Sequence, residues 1–116
     1  MERQITLAYL AGLFDGEGCV SVTTHYKTVK GVRYGPYFTK TLVFAQCNEE
    51  LCQLFSDTLH VGKVYLTAKA NRKPNHSAGW QWRANSAEAI LAAKELLPYL
   101  RLKKEQILTK ILVPFA

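Results

Sequence analysis

Disulfide chemistry has little to work with in this chain. Its three cysteines, Cys19, Cys47 and Cys52, are an odd number and fit reduced thiols inside a cell better than a cross-linked scaffold. An intracellular setting, cytoplasm or organelle, is therefore the expectation. Neither C-x-x-C nor H-x-x-x-H spacing occurs, so Cys47, Cys52 and His60 make a poor zinc set and read better as free thiols and a histidine. Seven glycines and four prolines exclude collagen-like or low-complexity material. No uncharged apolar run approaches the ~20 residues of a membrane span, so no membrane partner is expected. The opening Met1-Glu2-Arg3-Gln4 has no basic region feeding an apolar stretch, and no signal peptide is expected. What is present is 116 residues, 48% apolar and 21% charged, enough for one domain over 1–116 with a buried core.

Acidic residues are missing from two long windows. From Gly18 to Asn48 there is none, and the bases are Lys27, Lys30, Arg33 and Lys40. From Thr58 to Ala87 there is none, and the bases are Lys63, Lys69, Arg72, Lys73 and Arg83. Nine of the fifteen basic residues fall in these windows and all nine acids fall outside, within a net charge of +6. Net charge speaks to partners rather than to fold, and a basic small domain points first to nucleic acid.

Both windows have the pattern of β-hairpins. Cys19 to Tyr26 alternates, with Val20 and Val22 on one face and Ser21, Thr23 and His25 on the other. Gly31, Gly35 and Pro36 break the chain, and Phe38 to Gln46 reads as the returning strand, Leu42 and Phe44 inward, Thr39, Thr41, Val43 and Ala45 outward. Val61 to Ala68 and Trp80 to Ala84 repeat the form around a polar loop from Asn71 to Gly79. The segments between are helical. A helix runs from about Gln4 to Asp15. Asn48 is placed to cap Glu49 to Leu59, whose stripe is Leu51, Leu54, Phe55 and Leu59. Asn85 or Ser86 caps another, with Ile90, Leu91 and Leu97 as its core residues and Pro98 as its stop. Arg101 to Val113 is the last, apolar at Leu102, Ile107, Leu108, Ile111 and Leu112. The expected class is α+β in the order αββαββα, a twisted antiparallel sheet with helices on one face. The other face would carry the basic, hydroxyl-rich surface. Lys and Arg there suit phosphates, and hydroxyls and amides suit base edges.

The densest segment is Leu10-Ala11-Gly12-Leu13-Phe14-Asp15-Gly16-Glu17-Gly18. Ala8, Gly12 and Gly16 recur at every fourth residue, so one helix face is small. Each glycine costs roughly 1 kcal/mol in a helix relative to alanine, and close contact with another helix is a natural offset. Leu7, Leu10 and Phe14 lie on the face toward the core. The helix ends in a carboxylate bracketed by glycines, beside backbone carbonyls that carry the negative end of the dipole. That set suits a hard divalent ion such as Mg²⁺. It equally suits a plain glycine C-cap with an exposed glutamate, and the segment alone leaves the choice open.

These nine residues resemble the signature of the LAGLIDADG homing endonucleases, departing from it at Phe14, Gly16 and Glu17. The likeness extends along the chain: helix, hairpin, helix, hairpin, then Pro98-Tyr99-Leu100-Arg101-Leu102-Lys103-Lys104, similar to the family's late P-x-L-x-x-K element. The resemblance implies cleavage of double-stranded DNA at a long, nearly palindromic site with Mg²⁺ or another divalent cation such as Mn²⁺, Ca²⁺ binding without supporting cleavage. It makes Glu17 the metal-binding carboxylate and Gly16 the residue whose carbonyl also meets metal. Lys103 matches the basic residue near the scissile phosphate. Asn48 stands where relatives often have a glutamine that contacts water around the metals, and its N-cap role stands beside that reading. Where one branch has a second basic residue, this chain offers Cys52. Asp15 reads as structural.

One motif provides one carboxylate station, and cutting both strands needs two. A two-fold homodimer through Ala8, Gly12 and Gly16 would supply the second and would demand a pseudo-palindromic target. The expected chemistry is metal-assisted phosphodiester hydrolysis with no side-chain nucleophile. DNA contacts are expected from Ser21, Thr23, His25, Lys27, Thr39, Thr41, Lys63, Tyr65, Thr67 and Lys69, and from Gln81 and Arg83 if Trp80 and Trp82 face the core. Lys30, Arg33, Arg72 and Lys73, in loops, are expected at phosphates. Three other readings compete: a DNA-binding regulator that has lost catalysis, an intron maturase with RNA as a further partner, and an unrelated basic module whose motif is coincidence.

Overall fold

The computed structural model describes residues 2–67 and 79–113. The chain forms α1 (Glu2–Glu17), β1 (Gly18–Val29), β2 (Val32–Gln46), α2 (Glu49–Leu59), β3 (Lys63–Thr67), β4 (Gly79–Asn85), α3 (Ala87–Leu96) and a short α4 (Lys104–Gln106) that runs into a π-helical turn at Ile107–Ile111. The four strands make one antiparallel sheet in the order β1-β2-β4-β3, so the two hairpins meet through their second strands. This is the α+β arrangement of two ββα halves that the alternation predicts.

The first hairpin is longer than its breaking residues suggest. Lys30 and Gly31 both take positive φ (51° and 78°) and close a two-residue turn between Val29 and Val32, as the primed hairpin turns require. Gly35 and Pro36 do not end β2. They sit where the register slips between His25 and Lys27, an extra residue absorbed as a bulge. Beyond Thr39 the ribbon has no β4 neighbour, and β1 and β2 continue as a two-stranded arm.

The core lies between the sheet and the helices. Phe55 of α2 sits among Phe44 (ring centroids 4.5 Å), Trp82 (5.1 Å) and Phe14 (6.4 Å). Aromatic pairs at such distances contribute about 1 kcal/mol each beyond their buried area. Trp82 is fully buried, and its indole N–H donates to the Val61 carbonyl at 3.0 Å. Gly62 (φ 84°) lets the chain pass over that indole, since a Cβ there would stand 2.4 Å from Trp82 Nε1. On α1 the buried residues are Leu7, Leu10, Ala11 and Phe14, the face expected.

Three helix expectations need correction. α3 buries Ala89, Ala92, Ala93 and Leu96, while Ile90 and Leu97 are half-buried and Leu91 is exposed. The small alanine face seats this helix against β4, β2 and α1, and the bulky residues fall outside it. The helix has no side-chain cap either: Ser86 takes φ 55° and donates its N–H to the Lys40 carbonyl, and Asn85 instead accepts from Thr41. The expected helix from Arg101 begins only at Lys104, because Asp15 holds the backbone N–H groups of residues 101–103. Leu102 and Leu108 are exposed accordingly, while Ile107 and Ile111 are buried.

Candidate active site and nucleic-acid interface

Register fixes which side chains share the open face of the sheet. Cross-strand partners point the same way, so Ser21 lies with Thr41 and Asn85, and Thr23 with Thr39. Lys63 lies with Arg83 and Val43, and Tyr65 with Gln81 and Ala45. Trp80, Trp82 and Ala84 face the helices, as the alternation predicts, which leaves Gln81 and Arg83 on the open face. Thr23, His25, Lys27, Lys63 and Tyr65 are exposed; Ser21, Thr39, Thr67, Gln81 and Arg83 are half-buried. Lys30 is exposed at the hairpin tip. The Arg33 guanidinium lies over the Tyr26 ring, 3.7 Å from its centroid. Lys69, Arg72 and Lys73 lie outside the described residues.

Thr41 is the correction on this face. It points the expected way but is 5% exposed, and its hydroxyl donates to Asn85 Oδ1 at 3.0 Å. It sits on a central strand with Ser21 on one side and Asn85 on the other, so flanking side chains cover it. It supports the surface and does not form it.

The motif helix ends beside the sheet. Glu17, its last residue, is exposed. Its Oε2 accepts from Gln46 Nε2 at 2.7 Å, and Gln46 Oε1 in turn accepts from the Cys47 backbone N–H at 2.8 Å. The second bond fixes the amide so that its NH₂ faces the carboxylate. Glu17, Gln46, Cys47, Thr67 and Trp80 line a hollow of about 440 Å³. Asn48, the amide singled out in the sequence, caps α2 by accepting from Leu51 N–H at 3.2 Å; the amide at Glu17 is that of Gln46. Gln46 was legible in principle. It ends β2 on the parity of Leu42 and Phe44, and Gly18 pairs with Phe44, so Gln46 falls beside the end of α1. Cys52 does not belong to the site: it is fully buried, against the Phe44 carbonyl, and burial pushes its thiol pKa up.

Asp15 and Lys103 are joined at the same helix end. The Asp15 carboxylate accepts the N–H groups of Arg101 (2.8 Å), Leu102 (3.0 Å) and Lys103 (2.9 Å), the structural role expected of it. The Lys103 ammonium donates to the Asp15 carbonyl at 3.0 Å, placing a cation at the negative end of α1. Lys103, remote in sequence, thus reaches the last turn of the helix that ends in Glu17.

The outer face of α1 is bare. Ala8, Gly12 and Gly16 are exposed, as are Ile5 (57%) and Tyr9 (52%). Among the described residues a Cβ built on Gly12 or Gly16 would meet nothing within 4 Å, so none of them explains either glycine. A groove of about 530 Å³ runs beside this face, lined by Ala8, Gly12, Tyr99, Arg101 and Lys104 among others.

Two ββα halves share one antiparallel sheet, and the first helix ends in a carboxylate beside its basic open face. Residues 10–108 match the family model of the LAGLIDADG endonucleases, and the chain belongs to that family. Solved structures with the same fold include the homing endonuclease I-CvuI in complex with its target in the presence of 2 mM Ca (22% identity, TM-score 0.70). The same endonuclease in complex with the I-CreI target in 2 mM Mg, with the DNA not cleaved, is similar at 21% identity and TM-score 0.67. The archaeal intron-encoded homing endonuclease I-Vdi141I complexed with DNA follows at 19% and 0.65. In each case 90% of this chain is covered, but the chain spans only 62–64% of the length of those structures' chains. No curated protein matches the chain significantly.

Proposed function

We propose that this protein is a site-specific DNA endonuclease that makes a double-strand break in a long, pseudo-palindromic target, acting as a homodimer with a divalent cation. The observation that carries the proposal is the end of α1, where Gln46 holds the Glu17 carboxylate and Lys103 donates to the Asp15 carbonyl, beside an open sheet face whose strands contain no acid. The donors at that tip are a carboxylate, an amide and helix-end carbonyls. These hard oxygens suit Mg²⁺ or Mn²⁺, with Glu17 and the Gly16 carbonyl as the ligands this chain would contribute. The Asp15 carboxylate is taken up by the backbone N–H groups of residues 101–103, so Glu17 is the motif carboxylate left for a metal. When bound, the metal supplies charge stabilisation for the attacking and leaving oxygens of the phosphodiester.

The chain's own groups have separate tasks. Gln46 holds the Glu17 carboxylate by one oxygen, and among the described residues the other has no hydrogen-bond partner. Lys103 sets a positive charge at the tip, where it can stabilise charge developing on the scissile phosphate. The exposed bases of the sheet and hairpin tip neutralise phosphates, and hydroxyls and amides address base edges. Pairing of two copies through Ala8, Gly12 and Gly16 brings two such tips together on one duplex and imposes two-fold symmetry on the target.

The decisive experiment is a plasmid cleavage assay with Mg²⁺, the plasmid carrying a site selected from a randomised duplex pool. Wild type is expected to linearise the plasmid. Glu17→Gln is expected to bind the same duplex and leave it intact. A Glu17→Gln protein that cuts as fast as wild type would overturn the catalytic assignment. Binding without cleavage by wild type would favour a regulator on the same fold, and preference for structured intron RNA would favour a maturase.

A further inference from the structure

The two-stranded arm formed by the outer parts of β1 and β2 carries a polar pair for which the cleavage chemistry has no use. His25 stands opposite Tyr37 in the register and diagonal to Thr39. Its Nε2 lies 2.9 Å from the Thr39 hydroxyl oxygen, a hydrogen bond. Its ring centroid is 6.0 Å from that of Tyr37, the planes tilted by 35°. The imidazole is exposed, and among the described residues Nδ1 has no hydrogen-bond partner. One ring nitrogen is therefore held by the protein and the other is offered outward, on the face that carries Ser21 and Thr23.

We infer that His25 and Thr39 act as one coupled reader of a base-pair edge, with the proton count of the ring deciding which edge it accepts. This rests on the proposal above that the open face lies on duplex DNA. A neutral imidazole has one N–H, and a hydroxyl both donates and accepts. When Thr39 donates to Nε2, the ring proton is on Nδ1, which then donates to an acceptor edge. When Nε2 donates to Thr39, Nδ1 accepts, and it takes the amino group of adenine or cytosine. The hydroxyl rotates to serve either state, so the neutral pair tolerates both edges. The protonated ring has two donors. Thr39 then only accepts, Nδ1 only donates, and the edge must offer an acceptor. Guanine suits it best, with N7 and O6 in the major groove.

Imidazole changes charge near neutral pH, so this preference is adjustable within the physiological range. The groups around the ring are Tyr37 across the ribbon and Lys27, two residues along β1, which itself faces Tyr34. No acid occurs in either strand. The C-terminal turn lies against the opposite face, where Lys40 donates to the carbonyls of Ile111 and Val113.

The test selects bound duplexes from a pool randomised over its centre, using the full chain with Ca²⁺, at about pH 8 and about pH 6. At one position in each half-site, enrichment of guanine over the other bases is expected to rise by about five- to tenfold at the lower pH, the scale of one hydrogen bond. His25→Gln is expected to give the same base preference at both pH values. Thr39→Val, which leaves Nε2 without its partner, is expected to lose most of the low-pH preference while the salt dependence of total binding persists. A wild-type profile unchanged with pH at every position, or a change that persists in His25→Gln, would overturn the inference. If wild type retains no duplex in a salt-dependent manner, the DNA reading itself falls, and the inference falls with it.

Discussion

Asp15 shows how one side chain joins distant parts of the chain. Its carboxylate takes three backbone N–H groups from residues 101–103, and its carbonyl takes the Lys103 ammonium. Asp15→Ala would strand those donors, at a cost of about 2 kcal/mol. Thermal unfolding should fall by roughly 4–8 °C per kcal/mol for a domain of this size, and Asp15→Asn, which keeps one acceptor oxygen, should fall by less. The residue's structural role was legible from its place before the glycines; its partners were not, because more than eighty positions separate them. The same limit explains Gln46 and Asn48. A capping sequence advertises Asn48 locally, whereas contact between Gln46 and Glu17 depends on how β2 registers against β1.

At the scale of elements, α1 is clamped at both ends. At its start the Arg3 guanidinium donates to both oxygens of Glu95 on α3 (2.9 and 3.2 Å) and to the Thr58 carbonyl at the end of α2 (3.1 Å). The hydrogen bond from Arg3, with its charge, holds the Glu95 carboxyl below its ordinary value of 4.5. A carboxylate lowered in the folded state stabilises fully above its unfolded value, and that contribution fades as pH falls through the folded one. Glu95→Gln should therefore flatten the acid limb of stability below about pH 4.5, read by denaturant midpoints across pH. The effect should be small, because both side chains are over 40% exposed and water screens them. Element order and the facing of Trp80 and Trp82 followed from alternation alone. The phase of α3 did not, because three alanines and Leu96 can bury as a face while Leu91 stays outside.

Among the described residues of the whole molecule, nothing covers the Ala8, Gly12 and Gly16 face of α1, while the core is closed. Gly12 has open space where a side chain would stand, so Gly12→Leu should fold with nearly unchanged protomer stability. If α1 pairs with its copy, the same substitution should halve the mass measured by sedimentation equilibrium and abolish double-strand cleavage. A wild-type protein that sediments as a single protomer, with and without duplex, would refute the dimer. The arm beyond Thr39 has the opposite character. It has little core of its own, and its exposed Tyr34, Tyr37 and Phe38 stand on a ribbon supported by backbone pairing.

Local signals determined much of this protein: the αββαββα order, the acid-free hairpins, the core face of the first helix and the motif that places the chain in its family. Each depends on residues close in sequence, where periodicity and capping act. Tertiary structure alone decided that Gln46 meets Glu17, that Lys103 reaches the end of α1, and that Thr41 is covered while His25 and Thr39 pair. Those contacts depend on strand register and helix docking, and a slip of one residue in a strand would turn its side chains to the other face.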